Sequence, residues 1–314
     1  METQPTTAAR LPPIVLEHWG VIRARGAEAG AFLQGQLTND VMTLGADEVR
    51  LAGFCSAKGR LQASFFVWKR AADELLLACS ASVLPATLKR LSMFVMRARC
   101  KLDDGSAELA LHGISGADAA TLLGDTAVWR WRPVEGGMLL RLTDVDGNAR
   151  GLWVRPRLDT PAVAPAPAFE HWKLLEVRSG VPVIEAATVD QFVPQMLNFE
   201  VLGGVDFKKG CYPGQEVVAR SHYRGTIKRR MFLFECDAMA SAGQEVFHDA
   251  DAAQPAGMVV NAAPLPNGAG SAALVEVKLA ALDRGALHLG AADGALLRPT
   301  PLPYAVPLEA AEPA

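Results

Sequence analysis

The stretch KKGCYPGQE, residues 208–216, brings together residue types that can do chemistry at close spacing. Cys211 could act as a nucleophile or redox thiol, because positive charge and a nearby helix start favour the thiolate. Lys208 and Lys209 supply the charge, and two glycines permit a tight backbone path and close approach of a ligand. A structural turn that contains a buried thiol is the alternative, and the residue types alone leave both interpretations open.

Basic residues are concentrated around and after this stretch. From 208 to 230 the chain has seven Lys or Arg residues and one acid, Glu216, although the whole chain of 314 residues carries a formal net charge of −3. A local anion site is therefore predicted, for carboxylates, phosphates or an RNA backbone; a solvated basic surface is the alternative. The residues predicted to bind anions are Lys208, Arg220, Arg224 and Lys228.

The cysteines exclude two common uses of this residue. The five cysteines are Cys55, Cys79, Cys100, Cys211 and Cys236, which are widely spaced and form no C-x-x-C pair. This pattern is neither a disulfide framework nor a zinc ligand set, so no metal site is predicted. Cys79 and Cys236 lie in apolar runs and are predicted to be buried inside strands.

Hydropathy and the amino-terminal residues bear on location. The sequence has no apolar run of 18 residues or more, which argues against a membrane-spanning helix. METQPTTAAR, residues 1–10, has no apolar core and one basic residue, which favours a disordered tail over a signal or transit peptide. A cytoplasmic, monomeric protein is expected.

The elements that must position Cys211 can be predicted from periodicity. Alternating apolar residues in 60–69, preceded by the apolar segment 48–55, predict a β-hairpin with its turn at 57–60. Residues 27–40, 82–95 and 215–222 are predicted to form helices, and the last of these would begin just after Cys211. Strand pairs interleaved with single helices predict an α+β fold with antiparallel sheets. After about residue 228, short strands between Gly/Pro turns predict a small β-barrel.

Several segments together resemble one protein family. K-G-C-Y-x-G-Q-E, followed by A-R and R-G, is similar to the signature of the folate-binding YgfZ family, which is related to the glycine-cleavage T-protein and to mitochondrial iron–sulfur assembly factors. AFLQGQLTNDV (31–41), FCSAKGRLQASFFVWK (54–69) and the segment 180–225 agree with it. The residues that carry the motif are Lys209, Gly210, Cys211, Tyr212, Gly214, Gln215 and Glu216.

The resemblance implies an architecture. It comprises two interlocked α+β subdomains with antiparallel sheets and a C-terminal β-barrel, arranged around a central folate cavity. The T-protein-like region would span 12–228, with a Pro/Ala-rich connection near 156–168, and the barrel 229–314. By their sequence context, Trp19 and Trp172 match two tryptophans associated with folate binding in this family. A pterin ring stacks well on an aromatic face, and the anionic glutamate tail of folate would suit the basic stretch 208–230.

The resemblance also implies a function. It predicts a tetrahydrofolate-binding accessory protein that supports iron–sulfur cluster assembly or repair and tRNA modification. The implied partners are folate and iron–sulfur enzymes such as the radical enzymes that thiomethylate tRNA. Cys211 would be the reactive thiol. A transient iron–sulfur cluster would have to be shared with a partner, since clusters usually need four ligands.

Two alternatives stay open. A folate-dependent one-carbon transferase is disfavoured because ACSASVLPA, 78–86, has no acid where T-protein has its aspartate in an N-A-x-x-x-x-D segment. A tRNA-binding module would have only Tyr212 and Tyr223 as exposed aromatic residues, so base stacking is expected to be thin. Pro213 departs from the usual motif residue and is expected to stiffen the turn. The folate derivative and the client enzymes are not determined by the sequence.

Overall fold

The structure is a computed structural model that describes residues 13–157, 165–223 and 227–307. Its regular elements are strands in three antiparallel sheets and five α-helices. The strands are β1 (Ile14–Val15), β2 (Trp19–Arg25), β3 (Val49–Cys55), β4 (Leu61–Ala71), β5 (Glu74–Ser80), β6 (Lys101–Asp104), β7 (Leu109–Ser115), β8 (Trp131–Val134), β9 (Gly137–Val145), β10 (Asn148–Pro156), β11 (Arg229–Cys236), β12 (Glu245–His248), β13 (Gly257–Pro264), β14 (Ser271–Lys278), β15 (Leu287–Leu289), β16 (Ala295–Leu296) and β17 (Arg298–Thr300). The helices are α1 (Ala29–Gln34), α2 (Leu84–Val95), α3 (Gly116–Leu123), α4 (Ala166–Arg178) and α5 (Gln215–Tyr223).

The first sheet has the strand order β3-β4-β5-β2-β6. Its β3–β4 pair is the predicted hairpin. Residues 63, 65 and 67 of β4 alternate as expected and pack in the core beneath α2, but Phe66 and Trp68, on the opposite face, are buried in a second core. Because both faces are covered, this sheet lies in the interior and can position residues for a site between sheets.

The second sheet has the order β1-β7-β10-β9-β8, with α3 and α4 packed against it. Gly113 in β7 is what allows α4 to approach closely. A Cβ atom at this position would lie 2.5 Å from the indole ring of Trp172, which is closer than carbon atoms can pack. The large tryptophan therefore requires a residue without a side chain on the strand beneath it.

The third sheet has the order β16-β15-β12-β13-β14-β11-β17 and is curved and nearly closed. It confirms the α+β prediction with a small C-terminal barrel. Strand β11 has two buried faces, because Phe234 packs inside the barrel while Met231 and Leu233 join the core shared with the other sheets. The proposed division of the chain after residue 228 remains a prediction.

One predicted segment differs from the structure, and another lies partly outside the described residues. The predicted helix over 27–40 extends only over α1, because Thr38 and Asn39 bond to other segments: Thr38 Oγ1 donates to the Gly204 carbonyl at 2.6 Å. Within the predicted Pro/Ala-rich connection, residues 158–164 lie outside the described residues. Among the residues that the structure does describe, no helix is long and apolar enough to cross a bilayer.

Candidate functional site

Helix α4 carries the residue around which the candidate site is built, Glu176. Both predicted tryptophans donate their indole N–H to the same oxygen, Glu176 Oε1, at 2.7 Å from Trp19 and 2.7 Å from Trp172. The other oxygen, Oε2, lies 2.8 Å from Nε2 of His18. Trp172 and Glu176 are four residues apart on one helix and so lie on the same face. The carboxylate thereby joins α4 to the start of β2.

The charge on Glu176 is stabilised despite its position. Burial by itself would raise the pKa of this carboxyl, but the charge interaction and hydrogen bond with His18, the hydrogen bond from Trp19 and the positive charge of Arg150 outweigh it and lower the pKa. Arg150 lies with its guanidinium carbon 5.0 Å from the centre of the Trp172 ring, and burial lowers its pKa to about 10. An anion and a cation are thus held in the interior around the tryptophan.

A cleft opens beside this network, where β2, β5, α4 and β13 meet. It has a volume of about 140 Å³. A single water needs roughly 10–15 Å³ on the same measure, so the cleft can hold a planar heterocycle. Residues that line it include His18, Trp19, Lys173 and Glu176, together with Asn261 of the barrel.

The two tryptophans have different positions relative to the cleft. Trp19 lines it but is only 6% exposed, and one of its faces stacks on Phe66 with ring centroids 5.2 Å apart. Trp172 is 0% exposed and does not belong to the lining. A ligand in the cleft can contact part of the Trp19 ring, whereas Trp172 acts through Glu176.

The polar groups of the cleft were missed by sequence reasoning. Glu185 accepts a hydrogen bond from Asn261 Nδ2 at 2.9 Å, which fixes a second carboxylate at the wall. Lys173 lines the cleft from α4 and has no ion-pair partner among the described residues. Ser80 and Ser82 bond to each other at 2.8 Å. Only the spacing of Glu176 from Trp172 could have been noticed beforehand, since the other residues come from distant segments.

Cys211 lies in an exposed loop that precedes α5, as the sequence suggested. The loop packs on the β3–β4 turn through two glycines with positive φ, Gly59 at 71° and Gly214 at 78°. A Cβ atom on Gly214 would lie 2.4 Å from the Ser56 carbonyl oxygen and 2.6 Å from the Gly59 nitrogen. Gly210 has open space around it, so only Gly214 is required by close approach.

Lys209 of the motif makes contacts inside the protein. Its ammonium donates to the carbonyl groups of Gln34 and Leu37, the latter at 2.7 Å, and lies 4.9 Å from the centre of the Tyr212 ring. Burial lowers the pKa of Lys209 to about 8. The motif lysine thus connects the Cys211 loop to the end of α1. Its partner ring Tyr212 is 7% exposed, so the expectation of an exposed aromatic residue there is wrong.

The remaining cysteines differ from Cys211 in exposure. Cys55, Cys79 and Cys236 are buried, as predicted for the last two, and Cys100 is half-buried. Burial raises the pKa of Cys55 and of Cys79 to about 12, which keeps both thiols protonated at neutral pH.

The predicted anion-binding residues do not come together with the tryptophans. Lys208, Arg220 and Lys228 are exposed, and none of the described residues from 208 to 230 lines the cleft beside Trp19. Arg224 lies outside the described residues. Of the remaining motif residues, Gln215 and Glu216 form the first turn of α5, and Glu216 pairs with Arg220 on its exposed side at 2.9 Å. The described part of the chain contains no group of three or more His, Cys, Asp or Glu residues that could hold a metal ion.

Comparison with known proteins places this geometry in a family. No family model matches the chain. The tRNA-modifying protein YgfZ of Escherichia coli O17:K52:H18 strain UMN026 is 32% identical over 267 residues, covering 77% of this chain and 78% of that protein. The protein of the same name from E. coli strain K12 / DH10B has the same identity and coverage. The glycine cleavage system aminomethyltransferase T from Bartonella henselae has the same fold, with a TM-score of 0.66 at 15% identity over 91% of this chain and 83% of that one. The chain belongs to the YgfZ family.

Proposed function

We propose that this protein binds tetrahydrofolate in the cleft beside Trp19 and acts as an accessory factor for iron–sulfur enzymes in tRNA modification. The observation that carries the proposal is the cleft itself. It lies where the sheets meet, has a tryptophan in its wall and a fixed carboxylate beside it, and occurs in a fold shared with an aminomethyltransferase. Tryptophan and convergent polar groups are what a pterin site requires.

The residues of the cleft suit the parts of a folate. Carboxylates of Glu176 and Glu185 can accept hydrogen bonds from the ring N–H and amino groups of a pterin. The ammonium of Lys173, which has no ion-pair partner among the described residues, suits a glutamyl carboxylate. This replaces the expectation that the basic stretch 208–230 binds the glutamate tail, because none of the residues described in that stretch lines the cleft.

The cleft favours an accessory role over one-carbon transfer. The segment 78–86 has no acid, and its Ser80 and Ser82 contribute hydroxyl groups to the cleft. Where T-protein has its aspartate, this segment therefore offers two hydroxyls that bond to each other at 2.8 Å. The two carboxylates of the cleft, Glu176 and Glu185, come from other segments and are already held by hydrogen bonds from Trp19 and Asn261. We therefore propose no aminomethyl turnover, and we place the protein in the cytoplasm as a monomer.

Cys211 is proposed as the reactive thiol that serves the iron–sulfur partner. It is exposed, whereas three of the other cysteines are buried. One thiolate cannot hold a cluster alone, so any cluster would be shared with the partner. Reactivity follows thiolate access, so a limiting alkylating reagent should label Cys211 before Cys55 or Cys79.

Complementation of a strain that lacks its own YgfZ-family protein tests the role of the thiol. We expect Cys211→Ser to fail to restore tRNA thiomethylation while the melting temperature and tetrahydrofolate affinity stay near those of the wild type. Cys100→Ser is the matched control and should complement. A Cys211→Ser protein that complements fully would contradict the proposal, as would one whose activity is lost only in step with its stability.

A further inference from the structure

Three aromatic side chains form a cluster at the carboxyl end of α5. Phe207 stacks on His222 with ring centroids 3.8 Å apart and planes at 14°. Tyr223 meets both rings edge to face, at 6.0 Å from Phe207 and 4.8 Å from His222. Tyr223 is nevertheless 61% exposed, whereas Tyr212, the other candidate for an exposed ring, is buried. The chain thus presents one tyrosine to solvent on a support of two further rings.

The support matters for what Tyr223 can bind. An exposed aromatic side chain usually loses rotamer freedom when a ligand stacks on it, and that loss weakens binding. Contacts with Phe207 and His222 already restrict the Tyr223 ring, so less freedom is left to lose. An aromatic ring held in this way is a stacking surface for any planar base, because every nucleobase has a π-face.

Exposed cations flank the cluster in the sequence. Lys208 follows Phe207 directly, and Arg220 and Lys228 lie before and after the cluster in the chain; all three are exposed. The only acid between 207 and 223 is Glu216, which pairs with Arg220. The side chains of Arg220 and Glu216 are 70% and 85% exposed, so their ion pair is weak. A phosphate can therefore replace Glu216 as the partner of Arg220.

The β3–β4 turn extends this positive surface. Lys58 lies at its tip and is exposed. The next residue, Gly59, packs against Gly214 and Val217, which places the turn against the Cys211 loop and α5. Cys211, which is exposed, lies in this loop, which runs from Phe207 to the beginning of α5.

We propose that this surface binds an unpaired segment of RNA, with one base stacked on Tyr223 and the neighbouring phosphates on Lys208, Arg220 and Lys228. The inference rests on the proposed role in tRNA modification and names the surface that would meet the RNA. Single-stranded RNA fits better than a protein, because exposed large apolar or aromatic side chains among described residues 207–223 are limited to Val217 and Tyr223, at 39% and 61%. Stacking plus phosphate neutralisation is the usual recognition of unpaired strands.

Binding of a single-stranded RNA 12-mer that contains the fluorescent base 2-aminopurine tests the proposal with the full-length protein. Tyr223→Ala should weaken binding by about fivefold or more and abolish the quenching of the probe, since each stacked base contributes on this scale. Tyr223→Phe should bind within about twofold of the wild type, because the π-face is kept. Lys208→Ala should reduce the slope of log affinity against log salt by about 0.7.

Phe94→Ala is the matched control. Phe94 is an exposed aromatic residue on α2, 40% accessible, with the Arg90 guanidinium carbon 5.1 Å from its ring centre. It shares the residue types of the proposed surface but not its location, so its loss should leave RNA binding unchanged. Equal effects of Phe94→Ala and Tyr223→Ala would indicate charge-driven, unspecific binding and overturn the proposal.

Other results would also overturn it. These are no RNA binding by the wild type, an unchanged affinity of Tyr223→Ala, or equal binding of a perfect RNA duplex. If Tyr223→Ala lost complementation while the wild type failed to bind RNA, the surface would be a protein-docking site instead. Tetrahydrofolate titration of the same variants separates this inference from the proposed function, since Tyr223→Ala should bind folate as the wild type does.

Discussion

At the residue scale, Glu176 explains the two tryptophans. Their shared feature is a hydrogen bond from each indole to one carboxylate oxygen. Trp19 and Trp172 were predicted from a family resemblance, but Glu176 and His18 were not, because nothing in the sequence indicates that residues 157 positions apart share a hydrogen bond. A carboxylate whose charge is stabilised inside the protein couples this site to pH.

Replacing Glu176 by Gln should reduce the acid sensitivity of the fold. The folded protein lowers the pKa of this carboxyl below its ordinary value of 4.5, so its contribution to stability is present above that pH and is lost as pH falls through the folded pKa. Urea unfolding at about pH 7 and about pH 4 should show a smaller loss of unfolding free energy in Glu176→Gln than in the wild type. Glu216→Gln, with a side chain 85% exposed, is the control and should behave as the wild type.

Lys209 should give a pH dependence of the same sign as Glu176, but in a more alkaline range. Its pKa falls from 10.5 to about 8 in the folded protein because of burial. Between these values the unfolded chain binds more protons, so this lysine contributes stability that rises with pH. The unfolding free energy of the wild type relative to Lys209→Met should therefore increase between about pH 7 and about pH 10. A difference that is constant across this range would mean that Lys209 titrates like a solvated lysine.

At the element scale, the Cys211 loop depends on the β3–β4 turn. Two glycines with positive φ meet there: a Cβ atom on Gly214 would clash with backbone of the turn, and one on Gly59 would lie 2.8 Å from Cβ of Val217. The sequence allowed prediction of the hairpin, of α5 and of a glycine-rich approach, because alternation and turn residues are local signals. The contact between turn and loop could not be predicted, since residues 59 and 214 are distant in the chain.

Gly214→Ala should destabilise the protein by about 1–3 kcal/mol, because alanine is strained at positive φ and its Cβ would meet backbone of the β3–β4 turn. Gly210→Ala is a matched control within the same motif, where a Cβ would meet nothing within 4 Å. Thermal unfolding of both variants measures the difference. Similar melting temperatures for the two variants would show that the turn and loop do not pack as described.

Helix α1 shows the limit of local patterns at this scale. The apolar spacing of 27–40 favours a long helix. The helix nevertheless ends at Gln34, because the residues that follow it make hydrogen bonds to other segments of the chain. Asn39 Nδ2 donates to the carbonyls of Leu51 and Gly203, each at 2.7 Å. Long-range hydrogen bonds of this kind override helix propensity, and a single sequence carries no signal for them.

At the scale of the whole molecule, three sheets meet around α4. The α+β class and the C-terminal barrel could be predicted, because strand and helix patterns reveal element types. The cleft could not, because its walls come from β2, β5, α4 and β13 and exist only once the sheets are assembled. We propose that this assembly forms a folate site.

The folate site can be tested by titrating the protein with tetrahydrofolate while tryptophan emission is recorded. We predict saturable quenching, with affinity about two- to tenfold weaker in Trp19→Phe because an aromatic contact and its N–H bond to Glu176 change. Trp131→Phe, whose ring is half-buried in the second sheet and outside the cleft lining, should match the wild type. The double variant Trp19→Phe with Trp172→Phe should be weaker still and show little quenching. Unchanged affinity and quenching in the double variant would contradict the assignment of the folate site to this cleft.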